Sequence, residues 1–332
     1  MKSILEKLTN HESLSAKEAR NTLIRISKES FNPAQVAAFI TVYLMRTISV
    51  EELSGFRQAL LELCIPFDRQ GLETIDVCGT GGDGKNTFNI STLSAFVVAG
   101  AGYKVTKHGN YGVSSGCGSS NVLEHLGYQF TNNHSRLMSQ LNEVGICFLH
   151  APLFHPALKS VGPIRRELGM KTFFNMLGPV VNPAQPTHQM VGVFSMNLQR
   201  LYKYLFEEIG HKYAIVHGMS GFDEVSLTDK TKVVSTNNGE YMLDASTFNL
   251  PQYQLYEISG GETVPQAAKI FTEVLSNKGT EAQTNVVLAN SALAIDCYNE
   301  VSDLEASFNK AKEALENGAA LNAFEKLIAI SK

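Results

Sequence analysis

The sequence predicts an α/β protein, with a small all-helical N-terminal domain and a larger domain built on a mostly parallel central sheet flanked by helices. Three observations support this fold class. Helix-capping signals fill residues 1–70, short apolar strands alternate with helices after that, and glycine-rich loops follow two of the strands. We place the domains at 1–70 and 71–332, and we allow the helical domain to include helices near 160–185.

Composition limits the classes of function. A chain of 332 residues is long enough for about two domains. A formal charge of -4 argues against a general nucleic-acid or membrane-surface binder. The five cysteines form no C-x-x-C pair, which is typical of a reducing cytoplasm, and no 18-residue apolar run or apolar signal region occurs. We therefore expect a cytoplasmic protein without a nucleic-acid or membrane partner.

The N-terminal region has the signals of short amphipathic helices. Three pairs have capping-box spacing, namely Ser15 with Glu18, Asn32 with Gln35, and Ser49 with Glu52. One apolar face has helical period and consists of Val36, Phe39, Ile40, Tyr43 and Leu44. Two or three short helices cannot bury such faces alone. We expect them to pack on a second domain, on another subunit, or on both.

From Ile65-Pro66 onward, strands alternate with helices. The predicted strands are Glu73–Val77, Tyr103–Thr106, Gly145–Leu149, Met190–Phe194 and Tyr213–His217. The predicted helices are Ser91–Ala101, Ser119–Gly127, Leu198–Gly210, Pro265–Ser276, Ala282–Tyr298 and Asp303–Asn317. This alternation favours a parallel sheet with ligands at the C-terminal strand ends. The segment 233–255 fits either a hairpin or a long excursion.

The first glycine loop partly matches two nucleotide-binding patterns. Gly79, Gly81 and Gly84 fit G-x-G-x-x-G, but Lys104 stands near the point where a dinucleotide site needs an acid. Gly79 to Lys85 also fits G-x-x-x-x-G-K, but Asn86 replaces the Ser or Thr that would bind magnesium. Both mismatches argue against a dinucleotide or a nucleoside triphosphate.

The same loop still has the character of an anion site. No Asp or Glu occurs between Lys85 and Leu123, although the chain contains 32 acids. Glycines allow backbone N–H groups to converge on anionic oxygens, and Asn89 to Thr92 then opens a helix with hydroxyls and N–H groups at its positive end. A routine N-cap by Ser91 is the simpler interpretation of that turn, but it does not explain the glycines before it. We expect Asp83 to orient a donor group or a ribose hydroxyl rather than to contact phosphate.

Three further stretches follow predicted strands. Lys107 to Asn110 follows the second strand and supplies a positive charge for phosphate. The pair Asp223-Glu224 follows the strand that ends at His217, and adjacent carboxylates suit two hard cations bridged by a polyphosphate. Prolines and arginines between His150 and Pro179 could bind a flat organic anion, with one arginine on its carboxylate. We interpret Arg166 and Glu167 as a helix-surface pair.

Seven motifs occur in order between about residues 76 and 228: GTGGD, NIST, KHGN, HPAL, RRELG, NMLGPVVNPA and GFDEVSLT. Together with the chain length and the helical N-terminus, they closely resemble the anthranilate phosphoribosyltransferases of tryptophan biosynthesis. The resemblance implies a glycosyltransferase that joins anthranilate to the ribosyl group of 5-phosphoribosyl-1-pyrophosphate and releases pyrophosphate. It also implies a homodimer formed through the helical domain.

The resemblance also implies site residues. Around the ribosyl donor it places Gly79, Gly82, Asp83, Thr87, Asn89, Ile90, Ser91, Thr92, Lys107, His108, Gly109, Asn110, Tyr111, Gly112, Val113, Ser114, Ser115 and Ser119. Around anthranilate it places Gly79, Asn110 and Arg165, with His108, Pro152 and Gly178 along its approach. Two Mg²⁺ ions per subunit are implied, one on Ser91 and Glu224 and the other on Asp223 and Glu224.

The expected chemistry needs no covalent nucleophile and no general base. Metal ions would neutralise the leaving pyrophosphate, and the amine of anthranilate is already neutral at pH 7. Two enzymatic alternatives stay open, a related transferase with another aromatic acceptor and a pyrimidine nucleoside phosphorylase, whose signature lacks the paired acids. A non-enzymatic nucleic-acid binder would need a basic surface, which a net charge of -4 does not favour.

Four positions depart from the common family pattern. Tyr111 replaces Arg, Gly112 replaces Ala or Ser, Gly116 replaces Lys, and Asn121 replaces Asp. Two cations are therefore missing from the donor loop, so side-chain contacts to phosphate should differ there while backbone contacts persist. We hypothesise that Lys85 supplies a compensating charge.

Overall fold

The structure is a computed structural model that describes residues 1–112 and 117–332. The chain forms two compact units, a smaller one of residues 1–67 and 151–185 and a larger one of residues 68–150 and 186–332. The helices are α1 Lys2–Thr9, α2 Ala16–Ser27, α3 Pro33–Met45, α4 Val50–Leu63, α5 Ile90–Gly100, α6 Ser119–His125, α7 His134–Glu143, α8 Ala151–Phe154, α9 Gly162–Leu168, α10 Phe174–Leu177, α11 Met196–Ile209, α12 Val264–Leu275, α13 Glu281–Tyr298, α14 Leu304–Glu316 and α15 Ala319–Ser331. The strands are β1 Ile75–Gly79, β2 Val105–Gly109, β3 Ile146–His150, β4 His188–Gly192, β5 Lys212–Gly218, β6 Thr231–Ser235 and β7 Gly239–Leu243. Across both described ranges, no helix is long and apolar enough to cross a bilayer.

The predicted capping boxes start three helices of the smaller unit. Ser15, Asn32 and Ser49 each accept the backbone N–H three residues on, and the side chains of Glu18, Gln35 and Glu52 reach back to the cap residues. These predictions are confirmed. The expectation of two or three helices is wrong by one, because α1 also forms. Its start has no side-chain cap that the sequence could have shown.

An aromatic cluster fills the core of the smaller unit. The rings of Phe39, Tyr43, Phe56 and Phe173 lie 4.7–6.1 Å apart between centroids, and Phe56 stacks on Phe173. Such ring pairs contribute about 0.5–1.5 kcal/mol each beyond the burial of their area. Because Phe173 comes from the later segment, these contacts pack residues 151–185 against the N-terminal helices.

The larger unit is built on a seven-stranded sheet in the order β3-β2-β1-β4-β5-β6-β7. The first five strands pair in parallel, and β6 and β7 form an antiparallel hairpin at the edge. The mostly parallel sheet flanked by helices is the predicted fold class. The open choice for 233–255 is resolved as the second half of this hairpin followed by two short 3₁₀ turns, Ala245–Phe248 and Leu255–Ile258.

Two strands extend further toward the site than their sequence indicates. Lys107, His108 and Gly109 were expected in a loop after the second strand, but they continue β2 and pair with Phe148, Leu149 and His150 of β3. In the same way Gly79 is the last residue of β1. The prediction of a loop was wrong because the parallel ladder to the neighbouring strands satisfies the backbone past the last apolar residues.

Candidate active site

The candidate site lies where the strand order reverses. From β1 the chain moves outward through β2 and β3, and it then returns to place β4 on the other side of β1. Thr80 N–H, directly after β1, donates to the carbonyl of Gly192, the last residue of β4, at 2.9 Å. In open α/β sheets, ligands bind outside the carboxyl ends of the strands at such a reversal.

Two glycines make room for the acidic pair at this point. A Cβ on Gly79 would lie 2.5 Å from Oδ2 of Asp223, and one on Gly192 would lie 1.4 Å from its carbonyl oxygen. The N–H of Gly81 donates to Oδ2 of Asp223 at 2.6 Å. The loop after β5 therefore places Asp223 against the ends of β1 and β4.

The surroundings of the two carboxylates oppose their negative charge. Asp223 and Glu224 are only 6% and 7% exposed. Burial raises the pKa of Asp223, and the charge of Asp83 adds to the effect. Burial and the charge of Asp223 raise the pKa of Glu224 well above its usual range, against the opposing charge of Lys107.

Two buried carboxylate oxygens also lack a donor. Oε2 of Glu224 and Oδ2 of Asp83 have no hydrogen-bond partner among the described residues. Buried oxygens without donors are costly unless a ligand supplies the missing charge, so the donor set fits a hard cation such as Mg²⁺. Within residues 1–112 and 117–332, no group of three or more His, Cys, Asp or Glu is placed to hold a metal ion.

The first glycine loop depends on left-handed backbone conformations. Gly81, Gly82 and Gly84 have φ values of 66°, 79° and 74°, which residues with a Cβ rarely adopt. Asp83 Oδ1 accepts the N–H of Lys85 at 3.0 Å, which closes a tight turn. The glycines therefore allow a turn that residues with a Cβ would strain, and their contact with an anion stays a prediction.

The far end of this loop is held by a segment that the sequence analysis did not assign. Gly260 N–H donates to the carbonyl of Asn86 at 2.8 Å, and Thr87 forms an isolated antiparallel bridge with Ser259. A Cβ on Gly260 would lie 2.6 Å from the carbonyl oxygen of Thr87. The pair Gly260-Gly261 was a visible signal, but a double glycine alone does not show which loop it approaches.

The start of α5 corrects one expectation. The predicted helix start was Ser91, with an N-cap by Ser91 as the simpler interpretation, but the helix begins at Ile90 with Asn89 as its cap residue. The side chain of Asn89 donates to the carbonyl of Cys117 at 3.2 Å. Ser91 lies inside the first turn, so its hydroxyl is available to hydrogen-bond Glu224, which lowers the pKa of that carboxyl. The structure thus brings together the predicted metal residues Ser91, Asp223 and Glu224.

The end of β2 contains a buried lysine. Lys107 is 2% exposed, and its Nζ donates to the carbonyl of Val77 at 2.6 Å. Gly109 packs closely, because a Cβ there would lie 2.4 Å from Cζ of Phe148 and 2.7 Å from Oγ of Ser119. Of the predicted donor residues, Val113, Ser114 and Ser115 lie outside the described residues, as does the departure at Gly116.

The predicted anthranilate residues divide between the units. Gly79, His108 and Asn110 belong to the larger unit, whereas Arg165, Pro152 and Gly178 belong to the smaller one. Within the smaller unit, burial lowers the pKa of Arg165, whose guanidinium lies over the ring of Phe174 at 5.2 Å. Arg166 and Glu167 are exposed on α9. The anthranilate assignment stays a prediction.

A buried amide that the sequence did not predict lies behind the acidic pair. Asn290 of α13 is fully buried; its Oδ1 accepts the N–H of Val225 at 3.1 Å and its Nδ2 donates to the carbonyl of Val225 at 2.9 Å. These two bonds fix the backbone directly after Glu224. The available signal was a polar residue within the apolar run VVLANSALAI.

The chain matches known protein families and relatives along nearly its whole length. Residues 71–321 match a family described as "Glycosyl transferase family, a/b domain", and residues 2–64 match "Glycosyl transferase family, helical bundle domain". The chain is 55% identical over 331 residues to a protein of Flavobacterium johnsoniae named anthranilate phosphoribosyltransferase, with both chains fully covered. A protein of Bacteroides thetaiotaomicron with the same name is 49% identical, covering 100% of this chain and 99% of its own.

Solved structures show the same architecture. The anthranilate phosphoribosyltransferase of Thermus thermophilus matches with a TM-score of 0.92 at 30% identity, covering 98% of each chain. The enzyme of Saccharomyces cerevisiae, in complex with PRPP and Mg, matches with a TM-score of 0.91 at 29% identity, covering 99% of this chain and 97% of its own.

Proposed function

The chain belongs to the anthranilate phosphoribosyltransferase family, and we propose that it transfers the 5-phosphoribosyl group of 5-phosphoribosyl-1-pyrophosphate to the amine of anthranilate. The products are pyrophosphate and N-(5-phosphoribosyl)anthranilate. The observation that carries the proposal is the buried pair Asp223-Glu224 at the ends of β1 and β4, where Oε2 of Glu224 has no hydrogen-bond donor among the described residues. A polyanionic donor bound through cations fits this arrangement.

We assign the donor to the two glycine loops and to the start of α5. The left-handed glycines of the first loop let the backbone approach a ligand closely, and Lys107 adds a positive charge at the end of β2. Ser91 with Glu224, and Asp223 with Glu224, are the proposed holders of two Mg²⁺ ions. Because protein carboxylates usually share Mg²⁺ with substrate phosphates, these few side chains are enough.

The chemistry follows from positioning and charge. The C1–O bond to pyrophosphate breaks as the C1–N bond to anthranilate forms, and the amine loses its proton to solvent afterwards. Bound Mg²⁺ would neutralise charge that develops on the leaving pyrophosphate. Asp223, Glu224 and Ser91 would hold these cations beside the pyrophosphate. The glycine loops orient the ribosyl phosphate, and no residue forms a covalent bond with it.

One assay tests the proposal directly. The protein is mixed with anthranilate, 5-phosphoribosyl-1-pyrophosphate and MgCl₂, and the fluorescence of anthranilate is followed with time. Loss of fluorescence that requires all three components is the expected result. Donor binding without turnover would instead favour another aromatic acceptor. Phosphorolysis of pyrimidine nucleosides with inorganic phosphate would favour the nucleoside phosphorylase alternative.

The remaining assignments are further proposals. We propose a homodimer formed through the helical domain of residues 1–70, to which the helices near 160–185 belong, and light scattering after gel filtration measures its mass. The cysteines, all unpaired, support a cytoplasmic location. The acidic net charge supports small-molecule substrates rather than a nucleic acid.

A further inference from the structure

Two backbone segments of the second glycine loop touch each other. A Cβ on Gly118 would lie 2.1 Å from the N of Gly112 and 2.6 Å from the carbonyl carbon of Tyr111. Only glycine permits this approach, so the backbone on the two sides of residues 113–116 is held in close contact.

Asn121 joins the same two segments. Its Oδ1 accepts the N–H of Gly112 and the N–H of Gly118, each at 3.0 Å. The bond to Gly118 belongs to the start of α6 and resembles ordinary helix capping. The bond to Gly112 does not, because Gly112 lies in the preceding segment, nine residues earlier.

A second set of contacts runs beside the first. Ser120 N–H donates to the carbonyl of Asn110 at 3.2 Å, and the hydroxyl of Ser119 donates to the same carbonyl at 3.3 Å. The segment Asn110–Gly112 is thus bonded to Gly118–Asn121 at two separate places. Four of the joined residues, Asn110, Tyr111, Gly112 and Ser119, are among the proposed donor-binding residues.

We propose that Asn121 is a positioning residue for the phosphoribosyl donor, acting through the backbone of Gly112 and Gly118 without touching the donor itself. The proposal rests on the function proposed above. The position needs an acceptor oxygen, which an amide and a carboxylate both offer.

Three variants test the proposal. Asn121→Leu keeps the approximate size of the side chain and removes the acceptor, whereas Asn121→Asp keeps the acceptor and adds a charge. The matched control is Asn133→Leu, which removes an exposed asparagine oxygen that accepts the N–H of Arg136 at the start of α7. The full-length protein is used throughout, with donor Kd from calorimetry in MgCl₂ without acceptor, KM for both substrates, kcat, and Tm.

The expected results separate positioning from general stability. Asn121→Leu should raise the Kd and KM of the donor about tenfold, which corresponds to about 1.4 kcal/mol, while the KM of anthranilate and the Tm stay near wild type. Asn121→Asp keeps the acceptor oxygen, so it should raise the donor Kd less than Asn121→Leu does, by about threefold at most. Asn133→Leu should leave donor binding unchanged.

Specific outcomes would overturn the proposal. Donor affinity within twofold of wild type in Asn121→Leu would show that the two bonds do not matter for binding. Equal increases in both KM values with a lower Tm would indicate a general structural role. An Asn121→Asp variant as weak as Asn121→Leu would show that the acceptor oxygen is not the cause. Failure of the proposed function is seen separately, as donor binding by wild type without loss of anthranilate fluorescence; a wild type that does not bind the donor overturns both.

Discussion

The two glycine loops of the larger unit are held by opposite kinds of oxygen. In the first loop, the N–H of Gly81 is bound by the carboxylate of Asp223. In the second, neutral oxygens of Asn110 and Asn121 bind the backbone at Ser120, Gly112 and Gly118. Carboxylates do lie near the second loop, because Asp76 accepts the N–H of His108 at the end of β2 and Glu124 accepts the hydroxyl of Tyr111. Neither of them holds the backbone of Gly112, Gly118 or Ser120, so we expect the cations to bind at the first loop.

The largest expected effect comes from removing charge at the first loop. Asp223→Asn and Glu224→Gln should each lower kcat by about 100-fold or more and change its dependence on MgCl₂, because charge on the leaving group is no longer balanced. Both changes should leave Tm equal or higher, because burial raises the pKa of both carboxyls and a neutral amide avoids that cost. Wild-type response to magnesium in both variants would contradict the two-metal assignment.

The next effect tests how closely the first loop fits the acid. Gly79→Ala should lower kcat/KM by about 10- to 100-fold, because its Cβ would lie 2.5 Å from Oδ2 of Asp223 and displace that carboxylate. Gly162→Ala is the control, since a Cβ there would have no neighbour within 4 Å. If the two variants have equal activity, the close seating of Asp223 is not needed for catalysis.

A smaller effect concerns the support behind the acidic pair. Asn290→Ala leaves the N–H and the carbonyl of Val225 without their partner in a buried place. The free energy of unfolding should fall by about 1–3 kcal/mol, and kcat should fall because Glu224 is displaced. Urea denaturation with parallel kinetics measures both. Asn290→Asp, which keeps the acceptor oxygen, should retain more stability and a higher kcat than Asn290→Ala. Normal stability and normal kcat in Asn290→Ala would show that this support is dispensable.

Lys85 tests whether the first loop has its own cation. Its Nζ lies 5.1 Å from the ring centroid of Phe222, the residue before Asp223, and it makes no ion pair within the described ranges. Lys85→Ala should raise the donor KM about three- to tenfold, whereas Lys85→Arg should keep the donor KM near the wild-type value. Lys104→Ala is the control, since that ammonium donates to the carbonyl of Leu141 at 2.7 Å. An unchanged donor KM in Lys85→Ala would dispose of the hypothesis.

The smallest effect is a pH dependence beside the second loop. Burial lowers the pKa of His150 from 6.5 to about 4, and its Nδ1 lies 2.9 Å from Oγ of Ser120. A lowered pKa means that the folded state favours neutral histidine, so stability is complete above about pH 6.5 and is lost as the pH falls toward 4. In thermal melts, His150→Phe should lose less stability than wild type as the pH falls from 6.5 toward 4. Burial lowers the pKa of His155 in the same way, so part of the acid destabilisation should remain in the variant. A melting profile identical to wild type would contradict the assignment.

The fold class could be predicted because it depends on local periodicity. Apolar runs, caps such as Ser15 with Glu18, and glycines after strands all report on neighbours within a few residues. The ends of β1 and β2 could not be predicted, because pairing with adjacent strands extends them past the apolar run. The start of α5 was misplaced for a similar reason, since the hydroxyl of Ser91 bonds to Glu224 across the site.

The sequence predicted the separate segments of the site better than the contacts between them. The glycine loops and the acidic pair were evident as separate stretches, whereas Asn290 and Gly192 became visible only through their contacts with Val225 and Asp223. A buried amide in an apolar helix shows that it needs a partner. It does not show which backbone, 65 residues away, supplies that partner.

The bond from Gly81 to Asp223 has a consequence for the order of folding, because it joins residues 142 apart in the chain. A contact of that span closes a large loop, and such contacts form late relative to local helices. During synthesis, the first glycine loop leaves the ribosome long before the acid that holds it. In refolding, helical signal should therefore return before the capacity to bind magnesium and the donor.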